Sequence, residues 1–322
     1  MSTLSLTTWN VQNLFRPPAT DKPARVVYRR KLRQLARVIH EIAPDVLALQ
    51  EVGGEDALID LQRALGAGLY DHRAIGTPDA RGIACALLSR VRFEKKPRVI
   101  TGYPANVQAL GVTDLDGAAI RQMGRGAVHV RVRRAGFPLD VIVVHLKSKL
   151  LGFPGGFFST RDELLRARVG ALALLKRAAE AATVRTAATE LLKQGHAVAV
   201  LGDLNDGPTA ATTQLLHGPG GSALTSRGFH QPDDGDPQRL WNVSELIPSA
   251  RRYSRVHHGA GEMLDQILVS EALLGRTGDG KRRAPLRVEA RVEGLRSIGD
   301  DPRREVLEVM PDHAAVSAVF EV

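Results

Sequence analysis

The sequence predicts an α/β protein built as one domain, and three observations carry that expectation. Short apolar runs such as 45–49 and 197–201 read as strands buried on both faces. Helical stretches lie between such runs at both ends of the chain, the interleaving of an α/β architecture. No shift of composition divides the 322 residues. A length rule of roughly 150 residues per domain would give about two, yet one domain over 1–322 is expected.

Each element has its own signal. Alternating residues over 3–9 form a first strand, which ends in Asn10-Val11-Gln12-Asn13. Over 25–42, Leu32, Leu35, Ala36, Ile39 and Ile42 recur at helical spacing, with Arg29, Arg30, Lys31, Arg33 and Arg37 on the other face. Pro44 stops that helix and 45–49 is the next strand. A helix over 55–65 precedes strands at 70–76, 82–89, 126–133 and 139–144. The Ala- and Leu-rich stretch 161–193 forms one or two helices, and 197–201 is again a buried strand. A helix over 209–216 and strands at 253–256, 264–269, 286–292 and 314–322 follow. The Gly/Asp/Pro-rich stretches 218–237 and 274–284 read as surface loops, and no internal repeat is present.

Composition excludes several classes. Hydrophobic residues are 43% and charged residues 25%, a globular balance that argues against disorder. A lone cysteine, Cys85, excludes an internal disulfide framework and a Cys-based zinc site. The net charge of +9 favours a polyanionic partner, nucleic acid or anionic phospholipid. No run of about 18 apolar residues is present to span a membrane, and the start lacks a leader pattern. A soluble, cytoplasmic protein without integral membrane association or an obligate protein partner is expected.

Chemistry collects where the strands end. Asn10 closes the first strand and Glu51 the second; His145 follows 141–144; Asp203 and Asn205 follow 197–201; Asp265 interrupts the apolar run 263–268; Asp312 and His313 precede the last strand. Each alone has an ordinary explanation as a turn former, a cap or a structural histidine. Together they can assemble an oxygen-rich site for a hard divalent cation, Mg²⁺ foremost, with two histidines for phosphate binding and proton transfer. Lys147 and Lys149, two apart, would point the same way in an extended segment and line a phosphate track. Arg161, Arg166 and Arg168 read mainly as a solvated helix face. The adjacent His257 and His258 would face opposite ways on a strand and read as loop or surface histidines.

Six segments resemble a known family in order. They are Trp9-Asn10-Val11-Gln12-Asn13, Leu49-Gln50-Glu51-Val52, His145-Leu146-Lys147-Ser148-Lys149, Gly202-Asp203-Leu204-Asn205-Asp206, Leu264-Asp265-Gln266-Ile267 and Pro311-Asp312-His313. The chain resembles the endonuclease/exonuclease/phosphatase superfamily of DNase I-like metallohydrolases, and its nuclease-like bacterial branch in the His-Leu-Lys-Ser-Lys form. The resemblance implies a four-layered α/β sandwich, two mostly antiparallel β-sheets flanked by helices. It implies Glu51 as principal Mg²⁺ ligand (Mn²⁺ a substitute), with Asn10 and Asp312 completing the oxygen shell. Asp203 would orient or deprotonate the attacking water, and Asn205 would hold the phosphate or the nucleophile. His313, oriented by Asp265, would transfer a proton or stabilise charge, and His145 would serve a non-bridging oxygen or the leaving group. Gln12 and Gln266 depart from the branch, which often has Glu and His there.

The expected activity is metal-dependent hydrolysis of a nucleic-acid phosphodiester, most simply by a DNA endonuclease or exonuclease. One alternative is a phosphatase or phospholipase for a phosphoinositide or sphingomyelin-like headgroup, ranked lower because aromatics are 4% and no exposed aromatic hairpin is evident. Another is a catalytically silent nucleic-acid-binding module.

Overall fold

A computed structural model describes residues 2–224, 226–299 and 309–322. Two six-stranded sheets pack face to face. The first runs, edge to edge, through Arg287–Ala290, Val316–Glu321, Thr3–Leu14, Val46–Val52, Ala84–Ser89 and His72–Ile75. The second runs through Arg98–Gly102, Gln122–Arg134, Phe137–His145, Val198–Asp203, Asp265–Val269 and Trp241–Asn242. A small sheet of Ala260–Glu262, Arg255–His257 and Ser297–Ile298 stands beside them.

Each large sheet has one parallel pair at its centre, Thr3–Leu14 with Val46–Val52 and Phe137–His145 with Val198–Asp203. Their other neighbours run antiparallel. Parallel neighbours cannot be joined by a tight hairpin and need a long crossover. Helix Lys22–Ile42 supplies the first, and helix Glu163–Lys193 the second. Asp21 and Asp162 cap them, each accepting a backbone N–H three residues on at 3.0 Å. The stretch expected as one or two helices is therefore a single helix of 31 residues.

The burial pattern explains why these strands read as unbroken apolar runs. Leu4, Leu6, Val46 and Ala48 meet Val141, Val143, Ala199 and Leu201 between the sheets. Their alternates Trp9, Val11, Leu47 and Leu49 face Leu35, Ile39, Leu58 and Leu61 of the outer helices. On the far side, Ile142, Val144, Val198 and Val200 pack on Ala181, Val184 and Ala188. The result is the four-layered sandwich, with both faces of each central strand removed from water.

Three expectations need correction. Strand Arg98–Gly102 has no counterpart in the sequence reading; it is an edge strand with a largely exposed pattern, so it shows no periodic burial. Lys31, read on the solvent face, is buried and donates from Nζ to the Gln12 carbonyl. The stretches 218–237 and 274–284, read as surface loops, are pinned together. Arg282 is fully buried, donates to the Phe229 carbonyl, pairs with Asp236 and Glu271, and lies 4.8 Å from the Trp241 ring centroid. Arg239 holds Asp236 from the other side. Among the described residues, no helix is long and apolar enough to cross a membrane.

Candidate active site

The carboxyl ends of both parallel pairs open on the same rim. They deliver Asn10, Glu51, His145 and Asp203, each at or near the end of its strand. The antiparallel neighbours begin there: Asp265 pairs in register with Asp203, and Val316 with Thr8, which brings Asp312 and His313 alongside. A cleft of about 110 Å³ results, lined by Asn10, Gln12, Glu51, His145, Asp203, Asn205, Asp312 and His313 together with Arg81 and Arg255. Asp265 stands behind His313, completely buried.

The backbone is strained where the site is built. Gln12, Asn13, Glu51 and Asn205 all line the cleft and all have positive φ, between 49° and 63°. Non-glycine residues held in this region cost free energy and gather at functional sites. At Gly202 the strands approach so closely that a Cβ would stand 1.9 Å from the Val144 carbonyl oxygen. Only glycine allows His145 and Asp203 to come level across the sheet.

Hydrogen bonds fix the reactive groups. Asp203 is buried; Asn10 Nδ2 donates to its Oδ2 at 3.0 Å and the Asn205 amide to its Oδ1 at 2.8 Å. His145 Nε2 lies 3.4 Å from the same Oδ2. Burial raises the proton affinity of Asp203, against the pull of the charge on His313. His313 Nδ1 meets Asp265 Oδ2 at 2.5 Å, and the His313 carbonyl accepts from Trp9 Nε1 at 2.8 Å. Burial opposes charge on that imidazole, but Asp265, Asp312 and Asp203 outweigh it and push its pKa up to about 10. His145 goes the other way: burial, then Arg125 and His313, hold it well below the usual histidine value, hence neutral. Its Nδ1 is buried without a partner among the described residues. Two histidines on one cleft are thus driven to opposite charge states by their neighbours.

The donor set fits a hard divalent cation. Glu51 Oε2 accepts from the Asn13 amide at 2.9 Å, and Asn10 Oδ1 accepts from the Gln12 amide at 3.0 Å, so each oxygen is oriented by its own strand end. Gln12 in turn accepts the Asp312 amide at 3.2 Å, tying the three together. Glu51 and Asp312 are half-buried carboxylates on a cleft with Asp203, and such crowding is relieved by a cation. Deeper in, Asp203, Asp265 and His313 bring ligand atoms within 4.8 Å of one another. There the imidazole Nδ1 is already engaged by Asp265. Glu51, Asn10 and Asp312 offer a second oxygen set on the cleft lining.

Some sequence-level assignments move. The strand ends at His145, and Lys147 and Lys149 follow it with separate partners. Lys147 Nζ folds onto the carbonyls of Ser148 and Leu150 at 3.0 and 3.3 Å, and burial lowers its pKa to about 8. Lys149 pairs with Asp206 at 3.1 Å. Neither lines the cleft; Arg81 and Arg255 do. Arg255 was overlooked, although it bridges His313 across the small sheet. Asn205 Nδ2 is engaged by the Leu146 carbonyl at 2.9 Å. Gln266 supports the site from behind: its Nε2 donates to the Asp206 carbonyl at 2.6 Å. His257 and His258 do not face apart, because His258 has positive φ and the ring centroids are 4.3 Å apart.

The helix Glu163–Lys193 also supplies two residues that the sequence reading missed. The Glu180 carboxylate accepts the amides of Lys147 at 2.6 Å and Gly124 at 2.9 Å. One turn earlier, Arg177 donates to Asp206 at 3.2 Å and to the Lys147 carbonyl at 3.1 Å. Both are buried and hold the segments after His145 and Asp203. Arg166 pairs with Glu163 and Arg168 donates to the Leu115 carbonyl, away from the cleft.

A four-layered sandwich with carboxylates, an amide and paired histidines at one rim defines a metal-dependent phosphoric-ester hydrolase. The chain belongs to the Endonuclease/Exonuclease/phosphatase family, whose sequence model matches residues 7–286. No curated protein sequence matches it. Among solved structures, truncated TDP2 from Caenorhabditis elegans is similar over 99% of this chain and 98% of its own, at 17% identity and a TM-score of 0.55. An endonuclease/exonuclease/phosphatase from Beutenbergia cavernae DSM 12333 is similar over 99% of this chain and 72% of its own, at 16% identity and a TM-score of 0.54. TDP2 from D. rerio, solved with a single strand DNA product, is similar over 100% of both chains at 16% identity and a TM-score of 0.53.

Proposed function

We propose that this chain hydrolyses phosphodiester bonds of nucleic acid, DNA first, as an endo- or exonuclease that uses Mg²⁺, with Mn²⁺ as a substitute. The observation that carries this reading is the cleft in which Glu51, Asp203 and Asp312 meet neutral His145 and protonated His313 between Arg81 and Arg255. The DNA product in the D. rerio TDP2 structure supports a nucleic-acid substrate, as does the net charge of +9.

In this reading Glu51, Asn10 and Asp312 hold the metal, which when bound neutralises charge on the phosphoryl group and acidifies a water. Asp203, its proton affinity raised by burial, takes the proton of the attacking water. His313, kept protonated with Nδ1 on Asp265, donates from Nε2 to a non-bridging oxygen as charge builds there. Neutral His145 keeps Nε2 3.4 Å from Asp203, and the departing oxygen takes its proton from solvent. Asn205, fixed through both its backbone and side-chain amides, orients the phosphate or the water.

The test is hydrolysis of plasmid DNA, RNA, bis(4-nitrophenyl) phosphate and an inositol phosphate, each with Mg²⁺, Mn²⁺ or EDTA. DNA cleavage that EDTA abolishes is expected. Activity confined to the inositol phosphate would replace this reading with the headgroup phosphatase. His313→Ala and Asp203→Asn should each lower kcat by about 100-fold or more, with Tm within a few degrees of the parent. Near-parental turnover in either variant refutes its assigned role.

A further inference from the structure

Beside the catalytic cleft lies a larger cavity of about 520 Å³, which shares Ser148, Leu150, Arg255 and Gly299 with the cleft lining. One wall comes from the segment that follows His145. There Phe153-Pro154-Gly155-Gly156-Phe157 closes a tight turn: the Gly156 amide donates to the Phe153 carbonyl at 3.2 Å, and the Phe153 amide to the Phe157 carbonyl at 2.8 Å. Proline at the second position and Gly155 at φ 81° make it a type II turn. A Cβ on Gly155 would stand 2.8 Å from the Phe157 ring, so that ring lies across the glycine. Phe153 is buried, Phe158 is half-buried in the cavity wall, and Phe157 is 62% exposed at the turn. The sequence reading found no exposed aromatic hairpin; this short turn is one.

The remaining lining mixes Leu150, Leu151, Ser159 and Thr160 with basic side chains. Lys149, Arg166, Arg255 and His257 surround the space, against one acid, Glu262. Lys149 is held by Asp206, Arg166 by Glu163, and Arg255 lies 4.0 Å from Glu262. The volume falls in the range of small-molecule sites. Aromatic rings with guanidinium groups beside them are the usual platform for an unpaired base.

We propose that this cavity receives the unpaired base of the nucleotide next to the scissile phosphate, so that the substrate is single-stranded or frayed at the cut. The inference rests on the nuclease reading and specifies its substrate. With a phosphate in the cleft, the shared wall at Ser148 and Arg255 puts the adjoining nucleoside in the cavity. A base inside a duplex is paired and stacked and would have to be extruded first. A lipid surface is the weaker occupant, because membrane entry needs a protruding apolar face. Here the space is concave and has Lys149, Arg166 and Arg255 in its lining, while the exposed Phe157 belongs to the neighbouring turn and not to that lining.

The experiment uses the full chain and a short single strand carrying 2-aminopurine, in EDTA so that no turnover is needed. Stacking should quench the fluorescence of the single strand and leave that of the matching blunt duplex unchanged. Phe158→Ala should weaken single-strand binding on the order of tenfold, and Phe157→Trp should retain it. Both variants should keep Tm within a few degrees of the parent, which certifies their folding. Unchanged binding in Phe158→Ala, or equal binding of the blunt duplex, would overturn the proposal. Co-sedimentation with phosphatidylcholine/phosphatidylserine vesicles that is lost in Phe157→Ala would put a membrane there instead. Failure of the unmodified chain to cleave any diester would sink the nuclease reading, while the quenching still decides what the cavity binds.

Discussion

Lys147 and Arg255 show how far a residue's role depends on the few residues around it. Lys147 follows a strand-end histidine and looks poised for phosphate, yet its ammonium turns back onto backbone carbonyls. Arg255 lies in an unremarkable polar stretch, yet the bridge to His313 sets it on the cleft. The salt dependence of DNA binding separates them. Arg255→Ala should lower the slope of log K against log salt by about 1, and Lys147→Ala should leave it unchanged. A slope that falls only in Lys147→Ala would return the phosphate track to the lysines. The acids, amides and histidines were legible because buried strands end in them, and burying such groups is costly without a partner or a cation. Arg81, exposed in a turn, and Arg255, half-buried on the strand Arg255–His257, were not legible, since a lone arginine is ordinary and only the folded chain brings these two to one rim.

At the scale of elements, the long helix Glu163–Lys193 does more than cover the second sheet. Glu180 and Arg177 stand one turn apart on its buried side and hold both ends of the peptide at Lys147. Burial raises the pKa of Glu180 while the amides of Gly124 and Lys147 oppose that rise. Glu180→Gln keeps the shape but replaces one accepting oxygen by a donor, which then faces an N–H. One buried amide is left unpaired, at a cost of about 1–3 kcal/mol, and His145, two residues away, loses its fixed backing. Tm should drop by several degrees and kcat for bis(4-nitrophenyl) phosphate should fall, with KM little changed. Parental values of both would show that the helix merely packs. The sequence did not reveal this pair, because an Arg and a Glu in an Ala-rich helix look like solvated charge. Only the crossover that brings the helix over the sheet shows them facing inward.

For the whole molecule, the order of layers was legible and the edges were not. Two apolar strand–helix–strand units, 3–52 and 137–203, carried the α/β expectation; that each closes a central parallel pair, with its helix as the crossover, is seen only in the structure. Edge strands such as Arg98–Gly102 bury too little to leave a period, and the pairing of Arg282 with Asp236 joins residues far apart in the chain. Global stability also carries a signature that no single element displays. His217, at the end of helix Ala211–His217, has its Nε2 buried without a partner, and burial lowers its pKa from 6.5 to about 4. Because the folded value lies below the unfolded one, the unfolded chain binds more protons between those limits. Stability from this group is therefore complete above about pH 6.5 and is lost as pH falls toward 4. The loss at pH 4.5 should reach about 2–3 kcal/mol relative to pH 7. His145, also held neutral by burial, acts in the same direction and His313 in the opposite one, so the parent curve alone is not diagnostic. The comparison is urea unfolding at both pH values for the parent and for His217→Asn, which keeps a polar side chain but does not titrate. The variant should lose less stability on acidification by roughly that amount; equal losses would mean that water reaches the imidazole and that its burial does not govern the acid limb.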